Sequence, residues 1–211
     1  FMRGMALYVS RHDGSAATCE DFVQAMEDAS NASRAEGATG AAFDFGQFRR
    51  WYHQAGTPVL QIQRHWDGEQ GVLELQIHQH TPPTPGQSAK QPLVIPLAMG
   101  LVGQGGEALP LVAEGSAPLP LNWGHQTHLV VIDQAETRLR FAGLPLQHHP
   151  PALSLLRQFS APVKLEMGRP VGELVHLLAH DSDPVARWDA GQLLLRRALL
   201  ARSQGHPDAQ L

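Results

Sequence analysis

The residues of this 211-residue chain best able to hold a metal or act as a nucleophile are its twelve histidines and its single cysteine, Cys19. Their spacing decides between those uses. Zinc hydrolysis on a helix needs two histidines four apart, with a carboxylate beside the first to activate the metal-bound water. His176 and His180 have that spacing, but Leu177 stands where the glutamate would be and no third ligand lies nearby in sequence, so the pair reads as the polar edge of a helix. His78 and His80 share one face of a strand, and His148 and His149 sit in a loop before two prolines. Two imidazoles alone do not specify a metal, and exposed histidines are the expectation at both places.

The other reactive groups also read as structural. Cys19 lies near a helix start, where the N-terminal dipole favours a thiolate, but a partly buried, inert thiol is the expectation. Ser10, Ser15 and Ser160 lack a GxSxG context, so nucleophilic catalysis has no support. Gly100, Gly103, Gly105 and Gly106 do not match the spacing of a phosphate loop and belong to a hairpin. Pro82 and Pro85 satisfy a minimal PxxP pattern, for which a rigid inter-strand loop is the default. Trp51 and Tyr52 read as packing at an interdomain seam rather than as a ligand platform.

A formal charge of -4, from 16 basic and 20 acidic residues without blocks, gives no footprint for nucleic acid or an anionic membrane. No apolar run approaches the roughly 20 residues that span a bilayer. One cysteine excludes an internal disulfide and is compatible with a reducing compartment.

The elements that carry these residues change character within Phe45–Gln63. Before it the apolar period is helical: Met2, Met5, Ala6 and Val9 form one stripe, and Thr18 with Asp21 caps a second helix carrying Phe22, Val23, Met26 and Ala29. Asn31 to Ala42 has too little apolar surface to pack and is expected to be a flexible loop. Asp44 and Gln47 then form a capping-box pair opening an aromatic helix with Phe45, Phe48, Trp51 and Tyr52, which Gly56 and Pro58 end.

Beyond Pro58 the period becomes two. Strands are expected at Pro58–His65, Leu73–Ile77, Leu93–Val102, Ala108–Ala113, Thr127–Asp133, Thr137–Ala142 and Leu156–Met167. The fold class is therefore mainly β: a seven-stranded antiparallel immunoglobulin-like β-sandwich, without the cysteine pair, flanked by α-helical segments at both ends. From Pro170 the helical period returns, with Leu174, Leu177 and Leu178 on one stripe. Asp183–Pro184 caps a last helix that carries Trp188, Leu194, Leu195 and Leu199. Stripes this apolar imply partner helices outside the chain.

Five segments carry a resemblance: Tyr8–Ser30, Phe45–Val59, Thr81–Leu101, Phe159–Glu166 and Val185–Leu195. In this order they closely resemble the bacterial aminopeptidase N (alanyl aminopeptidase) family of zinc metallopeptidases. The resemblance implies three parts: residues 1–57 as terminal helices of a thermolysin-like catalytic domain, 58–168 as the β-sandwich, and 169–211 as the first helices of a C-terminal helical domain. It also implies a parent enzyme that removes N-terminal residues from peptides through a zinc-activated water. The family's HExxH, downstream glutamate and GxMEN motifs have no counterpart here, so no catalytic, substrate-binding or metal residue carries over.

The expected role is thus a non-catalytic fragment, inactive by itself, whose sandwich spaces the catalytic and helical domains. Zinc is expected in the full-length parent and no cofactor in this chain. The expected partner is the rest of the aminopeptidase chain, with peptides as substrates of the parent only, in the cytoplasm, and with self-association through exposed apolar helices. Two readings from other classes stand beside it: a free-standing β-sandwich module binding protein or carbohydrate, and a small metallohydrolase built on His176, His180 and another histidine.

Overall fold

The computed structural model describes residues 1–37, 43–111 and 126–205. The chain forms two compact units, Phe1–Gly56 with Pro83–Leu93, and Thr57–Pro82 with Val94–Leu211.

In the first unit, α1 (Met2–His12) packs on α2 (Cys19–Ala35) through Gly4, where a Cβ would collide with Met26 Sδ, and through the edge-to-face pair of Tyr8 and Phe22. The expected cap of α2 is a full capping box: Asp21 N–H donates to Thr18 Oγ1 at 3.2 Å and Thr18 N–H to Asp21 Oδ2 at 2.8 Å. Asn31–Ala35, expected as loop, continues the helix. Arg3 explains the extension, since its Nη1 reaches Ser33 Oγ at 3.1 Å and Glu36 Oε2 at 2.6 Å and so ties that last turn to α1. The rest of the expected loop, 38–42, lies outside the described residues.

The aromatic helix is two short turns, α3 (Phe45–Phe48) and α4 (Arg50–His53), joined at Arg49. Asp44 Oδ1 caps Gln47 N–H, but the Gln47 amide donates to Pro92 O at 3.2 Å, so the expected box closes on one side only. Arg49 holds α3 and α4 to α2 through Glu20 at 2.6 Å and Glu27 at 2.8 Å.

The second unit has eight strands among the described residues. One sheet has the order β6 (Glu136–Phe141), β2 (Val72–His80), β1 (Val59–Asp67), β8 (Lys164–Glu166). In the other, β3 (Ile95–Val102) pairs with β4 (Ala108–Leu109), β5 (His128–Ile132) and β7 (Ala152–Leu155). Leu73, Leu75, Ile77 and Phe141 point inward while Glu74, Gln76, Arg138 and Arg140 are exposed, the expected alternation. The His128 ring lies edge-on to Phe141, and Gln79 Nε2 donates to Ile132 O at 3.3 Å, so the two sheets meet at these residues.

The expectation of seven antiparallel strands is corrected in two ways. β1 and β8 run parallel, with Leu60 opposite Leu165. The strand expected over Leu156–Met167 does not exist as one element: β7 ends at Leu155, Leu156, Gln158 and Phe159 adopt positive φ near +55°, and β8 starts only at Lys164. The cause is Arg157. It is 1% exposed, and burying its guanidinium turns the backbone on both sides into the left-handed region that side chains rarely adopt.

That guanidinium is the hub of the unit. Its Nε donates to Ser154 Oγ at 2.8 Å, Nη1 to Thr127 Oγ1 at 3.1 Å and Nη2 to Asp181 Oδ1 at 3.0 Å. Gly100 of β3 lies against it, where a Cβ would collide with the Arg157 Cζ. Asp181 and Asp183 occupy the joint between α5 (Val171–His180) and α6 (Pro184–Ser203). Asp183 caps α6 by accepting from Ala186 N–H at 2.9 Å, and it also accepts from Gln158 N–H at 3.1 Å. The helices therefore dock on the β3 sheet around a buried ion pair, beside a small core of Val102, Ala152, Leu174, Leu177 and Ala190.

Asp181→Ala leaves a buried guanidinium uncompensated and is expected to destabilise the second unit by about 3–5 kcal/mol. Replacing the pair together, Arg157→Met with Asp181→Leu, is expected to recover part of that loss. Urea denaturation of the single and double variants measures the coupling, and additive losses would overturn it.

Candidate functional site

Residues of α5 stand over the loop joining β3 to β4. His176 Nε2 donates to Gly103 O at 2.7 Å, and its ring lies 4.7 Å from that of His180, tilted by 45°. His180 covers Gly106, where φ is +86° and a Cβ would come within 2.5 Å of His180 Nδ1. The helical spacing of the two histidines thus clamps a glycine hairpin. Among the described residues no group of three or more His, Cys, Asp or Glu is arranged to hold a metal.

Beside this clamp Arg64 of β1 forms a two-point pair with Glu173 of α5, at 2.8 and 2.5 Å, and Glu173 also accepts from Leu153 N–H at 3.4 Å. Arg64, Glu173, His149, His176 and Pro151 border a cleft of about 390 Å³. Arg64, Glu173 and His176 already have partners within the chain, so they hold α5 on the sheets.

The remaining sequence candidates are dispersed. His78 Nδ1 lies 2.6 Å from Glu136 Oε1 and its ring stacks on His80 at 5.5 Å, on the wet face of β2. Cys19 is exposed at the first turn of α2. Ser160 Oγ accepts from Ala98 N–H at 3.0 Å, while Ser10 and Ser15 hydroxyls donate to carbonyls in or next to their own helix. Phe48 packs edge-on to Tyr52, which is 48% exposed.

The proline-rich loop also turns inward on its own unit. Thr84 and Gln87 pair across a tight turn, and Lys90 Nζ donates to Ala55 O, Thr84 Oγ1 and Gln87 Oε1 at 2.8–2.9 Å. Gln54 and Gln91 exchange hydrogen bonds, and Arg50 Nη1 reaches Pro92 O at 2.6 Å. The segment is a strap laced to α4 and the residues after it through Gln87, Lys90, Gln91 and Pro92.

Besides Arg157 and Asp181, three ionisable groups that are buried or half-buried were not singled out by sequence. His128 is 5% exposed with Nε2 lacking a partner, and burial pushes its pKa below the ordinary histidine value. Burial likewise lowers the Arg169 pKa and raises that of Asp189, against the mutual attraction of the two. All three sit in patterns that read as ordinary strand or helix edge, and a single sequence carries no signal of their burial.

Comparison with known proteins gives this framework a family. The chain belongs to the family described as "Domain of unknown function (DUF3458) Ig-like fold", whose model matches residues 56–168. A second model, "Domain of unknown function (DUF3458_C) ARM repeats", matches residues 171–211. Among curated relatives, Aminopeptidase N of Escherichia coli strain K12 is 41% identical over 210 residues, covering 100% of this chain and 22% of the relative. Aminopeptidase N of Haemophilus influenzae is 36% identical, covering 97% of the chain and 22% of the relative, and that of Caulobacter vibrioides is 38% identical, covering 99% and 21%. The chain is thus homologous to one region of aminopeptidase N and spans about a fifth of the length of these relatives. The crystal structure of Legionella pneumophila aminopeptidase A in complex with aspartic acid shares the fold, with a TM-score of 0.70, 23% identity, and coverage of 96% of this chain and 19% of that one.

Two outcomes follow from the site. Treatment with EDTA should leave the unfolding midpoint of the chain unchanged, while His176→Ala costs about 1 kcal/mol through the lost bond to Gly103; a midpoint that rises with added zinc would refute this. Because the folded pKa of His128 lies below its unfolded value of about 6.5, its contribution is complete above that pH and is lost as pH falls from there through the lower folded value. His128→Gln should therefore flatten the fall in urea midpoint between about pH 7 and about pH 5 relative to the unchanged chain. An equally steep fall in both proteins would exclude His128 as its source.

Proposed function

We propose that this chain is a non-catalytic region of a zinc-dependent aminopeptidase N, in which the β-sandwich spaces the catalytic part from a C-terminal helical domain. The observation that carries the reading is identity of 36–41% along practically the whole chain to about a fifth of each aminopeptidase N. In this reading residues 1–57 end a thermolysin-like catalytic domain, 58–168 form an immunoglobulin-like sandwich, and 169–211 begin the helical domain. The whole protein would remove N-terminal amino acids from peptides by a zinc-activated water, in the cytoplasm, with zinc and peptide bound outside these residues.

The internal lacing supports a structural role. Arg157 and Arg64 spend their charge on Asp181 and Glu173, and the loop that suggested a binding module is laced to α4 by Gln87 and Lys90. The exposed Trp188, Leu195 and Leu199 of α6 match the stripe expected to need further helices.

Two measurements test the reading. The full-length protein should hydrolyse an alanyl peptide in a chelator-sensitive way while residues 1–211 alone release no amino acid; chelator-sensitive hydrolysis by the isolated chain would refute it. In the full-length enzyme, a flexible linker after Thr57 combined with Gln87→Ala and Lys90→Ala should change the preference between short and long peptides. Unchanged selectivity would remove the spacer role. The isolated chain should also self-associate through the exposed face of α6, since uncovered apolar patches favour contact with other surfaces. Sedimentation as a monomer at high concentration would contradict this.

A further inference from the structure

A buried cation of the second unit lacks a full set of partners. Arg169 is only 9% exposed, and its Nη2 is buried with no hydrogen-bond partner. Among the described residues, the carboxylates whose field reaches it are Glu173, Asp189 and Asp181. Glu173 is engaged at both oxygens by Arg64; Asp181 Oδ1 receives Arg157 and Asp183 N–H, while Asp181 Oδ2 is itself buried without a hydrogen-bond partner and so does not bind Arg169. Asp189 lines the same hollow as Arg169 but is not hydrogen-bonded to its Nη2.

Arg169 borders a hollow of about 560 Å³ between the 155–167 stretch and α6. Lys164, Arg196 and Arg197 also line it, so four cations face two carboxylates, those of Glu166 and Asp189. Its apolar lining includes Phe159 and Trp188, each 64% exposed. Phe159 is held out by the run of left-handed residues that Arg157 imposes, so its exposure is built into the backbone.

We propose that this hollow receives a carboxylate-bearing, apolar polypeptide segment from the same longer protein, with its carboxylate paired with the Arg169 guanidinium. The excess of positive charge selects an acidic side chain, and Phe159 and Trp188 select apolar neighbours for it. Supply in cis rests on the reading of the chain as one region of a protein about five times as long, as the 22% coverage implies.

The test uses the full-length protein with the photoreactive residue p-benzoylphenylalanine in place of Phe159. Irradiation and mass spectrometry should give a cross-link to one Asp- or Glu-containing stretch of the same polypeptide outside residues 1–211. Arg169→Met should lower its yield about tenfold, Arg169→Lys less, and changing the captured acid to its amide should match Arg169→Met. Asp189→Asn should leave the yield unchanged. A cross-link to a second copy, no cross-link, a yield indifferent to Arg169→Met, or an equal loss with Asp189→Asn would each overturn the proposal. Peptide hydrolysis by the same sample separates the two readings, since an active enzyme without the cross-link refutes this docking alone.

Discussion

A buried guanidinium can remain in a protein interior only if fixed oxygens replace the water it gives up. Arg157 meets that requirement with oxygens from three places: the residues leading into β5, the end of β7, and the joint between α5 and α6. Each of these must therefore lie where the side chain can reach it. The absence of a side chain at Gly100, the reversed backbone at Leu156 and Gln158, and the cap of α6 by Asp183 are parts of one geometric solution. Breaking any single partner would leave charge or polar groups stranded in a dry place, so the helices and the sheet are held in one mutual arrangement.

Polar side chains elsewhere do similar work. Arg64 spans from β1 to α5 and fixes the helix by two parallel bonds, an arrangement whose planarity sets orientation as well as distance. His176 and His180, with spacing that invites a metal reading, close on the glycine turn between β3 and β4. The groups with the most reactive side chains thus serve as fasteners within the second unit.

Much of the fold was legible because alternation and helical stripes respond to local burial. Leu73, Leu75 and Ile77 announced β2, and Thr18 with Asp21 announced the start of α2. The failures share a different cause. Leu156–Met167 reads as extended until Arg157 is known to be buried, and that depends on Asp181, 24 residues away. Asn31–Ala35 reads as too polar to pack until Arg3 is seen to reach it. The parallel partner of β1 comes from more than a hundred residues downstream, and Glu166 is hydrogen-bonded to Gln61 across that separation. Arg169 looks like any charged residue before a helix, because its isolation depends on which neighbours had already been claimed.

The excursion between β2 and β3 has a further consequence. Residues 83–93 fall inside the stretch matched by the Ig-like family model, yet they are grouped with the helices of the other unit. The boundary recognised by sequence and the boundary drawn by packing therefore disagree, and the two units are braided along the polypeptide rather than strung end to end. A genetic truncation at either side of residue 57 would strip the helical unit of its strap, so a cut at that point does not separate the two units cleanly.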